Sequence, residues 1–163
     1  MRNVRVWLGS GILAGSLLIA GCAATHENKE KKLSPGDIPQ AVTNSLNARL
    51  PGAKLTSAEK ENENGAVVYD LEMTQNGLHY EMDVKEDGTI AEIEKEVKHP
   101  PQAVVDAVKQ KYPDAKIKIV MEVNKVEGTK ETPQNYEATI STGGKNKEVV
   151  VALDGSSVKE ETD

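Results

Sequence analysis

Pro39-Gln40-Ala41-Val42 returns in this chain as Pro101-Gln102-Ala103-Val104, and Pro51-Gly52-Ala53-Lys54 returns at the same offset as Pro113-Asp114-Ala115-Lys116. Further out, Tyr69, Gly77 and Asp87-Gly88 find counterparts in Tyr136, Gly144 and Asp154-Gly155, at a larger offset. Anchors kept in one order describe two copies of one small module, not one larger enzyme domain.

Each copy opens on a helix. Ile38, Ala41, Val42, Leu46 and Leu50 follow helical spacing, as do Val104, Val105, Val108 and Tyr112. Asp37 fits the N-cap and Pro39 the first turn, where a missing N–H costs nothing. Pro51-Gly52 and Pro113-Asp114 end the two helices.

Strands follow. Residues 53–61 form a weakly patterned one, whereas its counterpart sets Ile117, Ile119, Met121 and Val123 on one face. Val67, Tyr69, Leu71 and Met73 alternate with Val68, Asp70, Glu72 and Thr74, and Gln75-Asn76-Gly77 supplies a hairpin turn. Leu78, Tyr80, Met82 and Val84 then alternate with His79, Glu81, Asp83 and Lys85. Asp87-Gly88 leads into 89–96, with Ile93 inward. The second copy runs through Tyr136, Ala138 and Ile140, a Gly143-Gly144 turn, then Val149, Val151 and Leu153 before Asp154-Gly155. Period-two patterns with polar outer faces indicate antiparallel sheets covered on one side. The expected fold is α+β, in two tandem modules over 37–97 and 98–163. Each has one N-terminal helix packed on a three- to four-stranded antiparallel meander. The second copy is longer before its tyrosine, and its extra residues at 126–135, with Gly128, Thr132 and Pro133, read as a longer hairpin loop.

Residues 1–21 read as a signal peptide, with Arg2 and Arg5 ahead of an apolar run too short for a comfortable membrane span. Its end, Leu18-Ile19-Ala20-Gly21-Cys22, resembles the bacterial lipobox. That resemblance implies cleavage before Cys22, a thioether lipid on its thiol and acylation of its amino group, which together anchor a protein stably to a membrane. Residues 22–36 then read as a flexible tether. The expected place is the cell envelope, facing outside the cytoplasm, on the outer membrane if the host is Gram-negative. Cys22 is the one cysteine of the chain, so with it lipidated no thiol remains for a disulfide.

The chain carries a net charge of −6, and the basic residues Arg2 and Arg5 fall in the signal segment. The remainder is more acidic still, which excludes nucleic acid as a natural partner. There is no Phe, and the one Trp is Trp7, so any core is aliphatic.

No catalytic constellation can be assembled. His26 lies in the tether, His79 on an outward strand face and His99 beside Pro100-Pro101, none in a metal or catalytic spacing. Asp87-Gly88 and Asp154-Gly155 lack the spaced acids of a calcium loop. Neither an enzyme, a cofactor nor a metal site is expected. Asp70, Glu72, Glu81, Asp83, Glu92 and Glu94, however, share the open face of the first sheet. Such a face is either solvated or useful to a basic partner, or it binds cations or a small ligand.

The helix with its Pro-Gln-Ala-Val start, the Pro-x-Ala-Lys exit, the tyrosine strand and the Asp-Gly hairpin together resemble the PepSY-like family, including its β-lactamase-inhibitor-like branch. The resemblance runs over 38–97 and 99–158. It implies a non-catalytic, secreted or membrane-associated protein that acts by protein contact, with inhibition of a peptidase or another hydrolase as the implied role. This chain lacks the aromatic-rich sheet and the disulfides of the tandem β-lactamase inhibitor it is similar to in shape.

Overall fold

The computed structural model describes residues 31–63 and 65–161. The signal segment, His26, Cys22 and its lipidation lie outside the described residues. The elements are β1 (Lys31–Lys32), α1 (Gln40–Arg49), β2 (Lys54–Glu63), β3 (Ala66–Gln75), β4 (Leu78–Lys85) and β5 (Ile90–Glu96), then α2 (Gln102–Lys111), β6 (Lys116–Glu127), β7 (Lys130–Thr142), β8 (Lys145–Ala152) and β9 (Val158–Glu160). The strands form one sheet in chain order, each antiparallel to the next.

Two helix-plus-meander halves are present, in keeping with the period-two and helical patterns. They are fused edge to edge: β5 pairs with β6 from Glu92↔Lys125 to Glu96↔Met121. Both helices lie on the same face of the sheet. In the first half Val42 and Leu46 of α1 meet Leu71, Met73, Met82 and Ile93. In the second, Val104 and Val108 of α2 meet Val120, Ala138, Ile140 and Val149. A polar seam separates these cores: Asn124 Nδ2 donates to Glu122 Oε1 at 3.3 Å, and the Tyr136 hydroxyl donates to Glu122 Oε2 at 3.4 Å.

The sequence repeat is a repeat of geometry. Pro39 and Pro101 precede the helices with φ/ψ of −56/144° and −54/140°, and Leu50 and Tyr112 close them at −128/71° and −130/76°. Leu50 N–H donates to the Leu46 carbonyl and Tyr112 N–H to that of Val108, each at 2.8 Å. The repeated Asp-Gly turns press on the first turns of the repeated helices. A Cβ on Gly88 would stand 2.9 Å from the Ala41 oxygen, and the Ser45 hydroxyl donates to the Gly88 carbonyl at 2.6 Å. The motifs recur together because they touch.

Four expectations need correction. The tether does not run to residue 36: Lys31 and Lys32 pair with Lys60 and Glu59, and Leu33 N–H donates to the Ala58 carbonyl at 2.8 Å. Asp37 does not cap α1. It closes a 3-10 turn over Pro35–Asp37, accepting the Ser34 N–H, and Pro39 is the residue before the helix. The extra residues of the second copy are not a loop. They lengthen β6 and β7 to a turn at Gly128-Thr129, with Pro133 at a bulge, where a missing N–H is tolerated. That hairpin reaches back over the first half, where Val126 joins the first core and Glu131 pairs with Arg49 of α1. Finally, Ile117, Ile119, Met121 and Val123 do not share a face. A bulge sets Ile117 opposite core Ile140 but Ile119 opposite Thr139 on the other side, so Val120 faces the core instead. The same bulge falls between Leu55 and Ser57 in the first half.

Candidate functional site

The face opposite the helices carries the acids. Asp70 on β3 stands opposite Glu59 on β2 and Asp83 on β4. Asp83 stands opposite Glu92 on β5, and Glu92 opposite Lys125 on β6. Lys32 faces Glu59 at the other end. One row across six strands therefore reads Lys32, Glu59, Asp70, Asp83, Glu92, Lys125. The next row reads Ser57, Glu72, Glu81, Glu94, Val123. All six acids singled out in the sequence are thus brought together on adjacent strands about 4.8 Å apart.

Strand alternation places them there. Leu71 turns to the core between Asp70 and Glu72, and Met82 does so between Glu81 and Asp83. The face is less open than its polarity predicts: Asp83, Glu92 and Glu94 are 9, 8 and 1% exposed. Glu94 sits between Glu81 and Val123 on the flanking strands, so neighbours close round it. Like charges stand opposite one another here, an arrangement that by itself disfavours a sheet.

A third row adds a hydrogen-bonded edge to the patch. His79 Nε2 lies 2.9 Å from Glu81 Oε1, and Glu96 accepts the His79 backbone N–H at 2.9 Å and the Lys98 ammonium at 2.5 Å. The Lys98 bond, then that from His79, holds the Glu96 carboxyl below its ordinary range.

Sequence reading missed Glu59 and Lys125. Glu59 lies on the weakly patterned strand, whose facing appears only once it pairs with β3. Lys125 belongs to the other half and is delivered by the β5–β6 junction. In the second half the same face carries Glu137, Val150 and Lys159 across β7, β8 and β9, a mixed row without the charge of the first. Among the described residues no three His, Cys, Asp or Glu side chains converge to hold a metal ion. His99 is exposed in the turn before α2.

No family model matches the chain, and no curated protein matches it. Solved structures do. A DUF2874 family protein from Bacteroides uniformis superposes with a TM-score of 0.56 at 13% identity, over 75% of this chain and 88% of that one. A putative periplasmic protein from Bacteroides eggerthii gives 0.55 at 15% identity, with the same coverage of 75% and 88%. A DUF2874 family protein from Bacteroides ovatus gives 0.52 at 11% identity, over 75% and 86%. The chain shares its fold with these proteins.

Proposed function

We propose that this chain is a lipid-anchored, extracytoplasmic binding protein without catalytic activity. It captures a basic protein surface on the carboxylate face of its first half, and so regulates or inhibits an envelope peptidase or another hydrolase. The observation that carries this reading is the row of four acids, Glu59, Asp70, Asp83 and Glu92, set opposite one another strand by strand. The lipobox-like Cys22 and the periplasmic character given for the Bacteroides eggerthii protein support the location. Among the described residues no nucleophile, base and orienting group are brought to one place, which supports a role by contact.

The test is affinity capture from native membranes with the wild type and with D70N/E72Q/E81Q/D83N. The wild type retains a basic envelope protein and the amide variant releases it. Equal retention by both refutes the carboxylate face. Labelled palmitate on the wild type, and none on Cys22→Ser, checks the anchor.

A further inference from the structure

The second half carries a notch that the first half lacks in kind. The last β5–β6 pair is Glu96↔Met121, and Val97 N–H adds a bond to the Val120 carbonyl at 2.8 Å. Since β6 begins at Lys116, residues 116–119 border β7 on one side only, with Lys118 the extra residue of the bulge. Beyond Val97 the chain leaves the sheet and turns through Pro100 into α2. The space left is about 390 Å³, walled by Val97, Pro100, Val105, Ile117 and Ile119 above the buried Val120. That volume suits a small ligand or one or two side chains.

The first half has the same backbone arrangement. Leu33 takes the place of Val97, and β2 runs past β1 as β6 runs past β5. There, however, Thr43, Ser57 and Ala58 stand where the second half has Val105, Ile119 and Val120. Three polar or small positions have become branched aliphatic ones in the second half, and Val105 and Ile119 stay half-exposed. Aliphatic side chains beside an open strand edge are the contacts that an added strand can use.

Charge says what kind of occupant fits. Lys98, His99, Lys116 and Lys118 are all exposed around the notch, a basic spot on a protein of net charge −6. Lys98 is held by Glu96, whereas Lys116 and Lys118 make no ion pair among the described residues. We propose that this notch receives an extended acidic segment of a partner protein, which adds to β6 along residues 116–119. One aliphatic side chain enters on the helix side beside Val105, Ile119 flanks the added strand on the opposite face, and flanking carboxylates meet Lys116 and Lys118. Main-chain bonds at an open strand edge, with a pocket for an alternate side chain, are the elements of strand addition.

The probe is a fluorescein-labelled hexapeptide alternating glutamate and isoleucine, titrated by anisotropy against the full chain in lipid nanodiscs, with empty nanodiscs as blank. Saturable binding is expected, weakened about tenfold by V105T/I119S, which installs the residues of the first half, and also by K118E. The wild-type thermal midpoint checks that the double variant folds; if it does not, K118E decides. Unchanged binding by a folded V105T/I119S, or by K118E, overturns the proposal. So does equal binding of a lysine–isoleucine or a glutamate–serine hexapeptide. D70N/E72Q/E81Q/D83N should bind the probe as the wild type does; loss there overturns the assignment to the notch without touching the fate of the carboxylate face in membrane capture.

Discussion

A Cβ on Gly155 would stand 2.5 Å from the carbonyl oxygen of Ala103, closer than any real pair of such atoms. The turn before β9 is therefore seated directly on the first turn of α2, and its φ of 74° lies in the left-handed region. Gly155→Ala meets both penalties and should cost about 3 kcal/mol in urea denaturation. Gly144→Ala has a similar φ of 76° but open space around it, and should cost about 1 kcal/mol. Equal losses would mean that the contact with Ala103 adds nothing.

Ser45 gives the first half a bond that the second cannot make, because Ala107 stands at the matching position. Ser45→Ala should lose about 1 kcal/mol through the hydroxyl bond to Gly88. Amide exchange at Gly88, whose N–H donates to the Lys85 carbonyl, should accelerate with it.

Val126 belongs to β6 yet packs in the core around α1. Val126→Ala should destabilise the protein by about 2 kcal/mol, and faster amide exchange should be seen in β3 and β4, across the junction between halves. Exchange that rises only in the second half would contradict this packing.

A chain ending after Val97 retains α1 and four strands of its meander but loses β6 and Val126. Such a fragment should fail to give a cooperative unfolding transition by circular dichroism. A sharp transition would show that the halves fold separately.

Glu96 is held below its ordinary range by Lys98 and the His79 N–H. A carboxyl lowered in the folded state contributes stability above its unfolded pKa, and that contribution disappears as pH falls through the folded value. Glu96→Gln should thus cost about 1 kcal/mol at neutral pH, where the exposed Lys98 weakens the pair, and the cost should vanish at acid pH once the carboxyl is protonated in both the folded and the unfolded state. Urea midpoints across the acid range measure the convergence.

The helices and hairpins were legible because their signals are local. Asn76-Gly77 needs positive φ at both residues, and the structure has 53 and 75° there. The inward side of β3 and β4 follows from strict alternation and that of β5 from Ile93, so the period-two pattern suffices to group the six acids. What could not be read depends on pairing between strand edges, which leaves no mark in periodicity. Lys31 and Lys32 are too few and too polar to announce a strand. The bulge after Ile117 shifts the facing of everything that follows, which no alternating pattern can reveal. Thr132-Pro133 has the composition of a loop, yet it lies in a strand because Pro133 meets the bulge at Asn124.

Strand β5 closes the first meander and, through Val97, opens the second in the manner that Leu33 opens the first. A duplication that shares a strand has no hinge. The protein could be lengthened by further units added beyond β9, but its two existing units cannot swing independently. Whatever is held at the notch by α2 is thereby presented at a fixed angle to whatever meets the acids of β3, β4 and β5. Were both proposed surfaces occupied, one continuous sheet would set their relative orientation and not only their proximity.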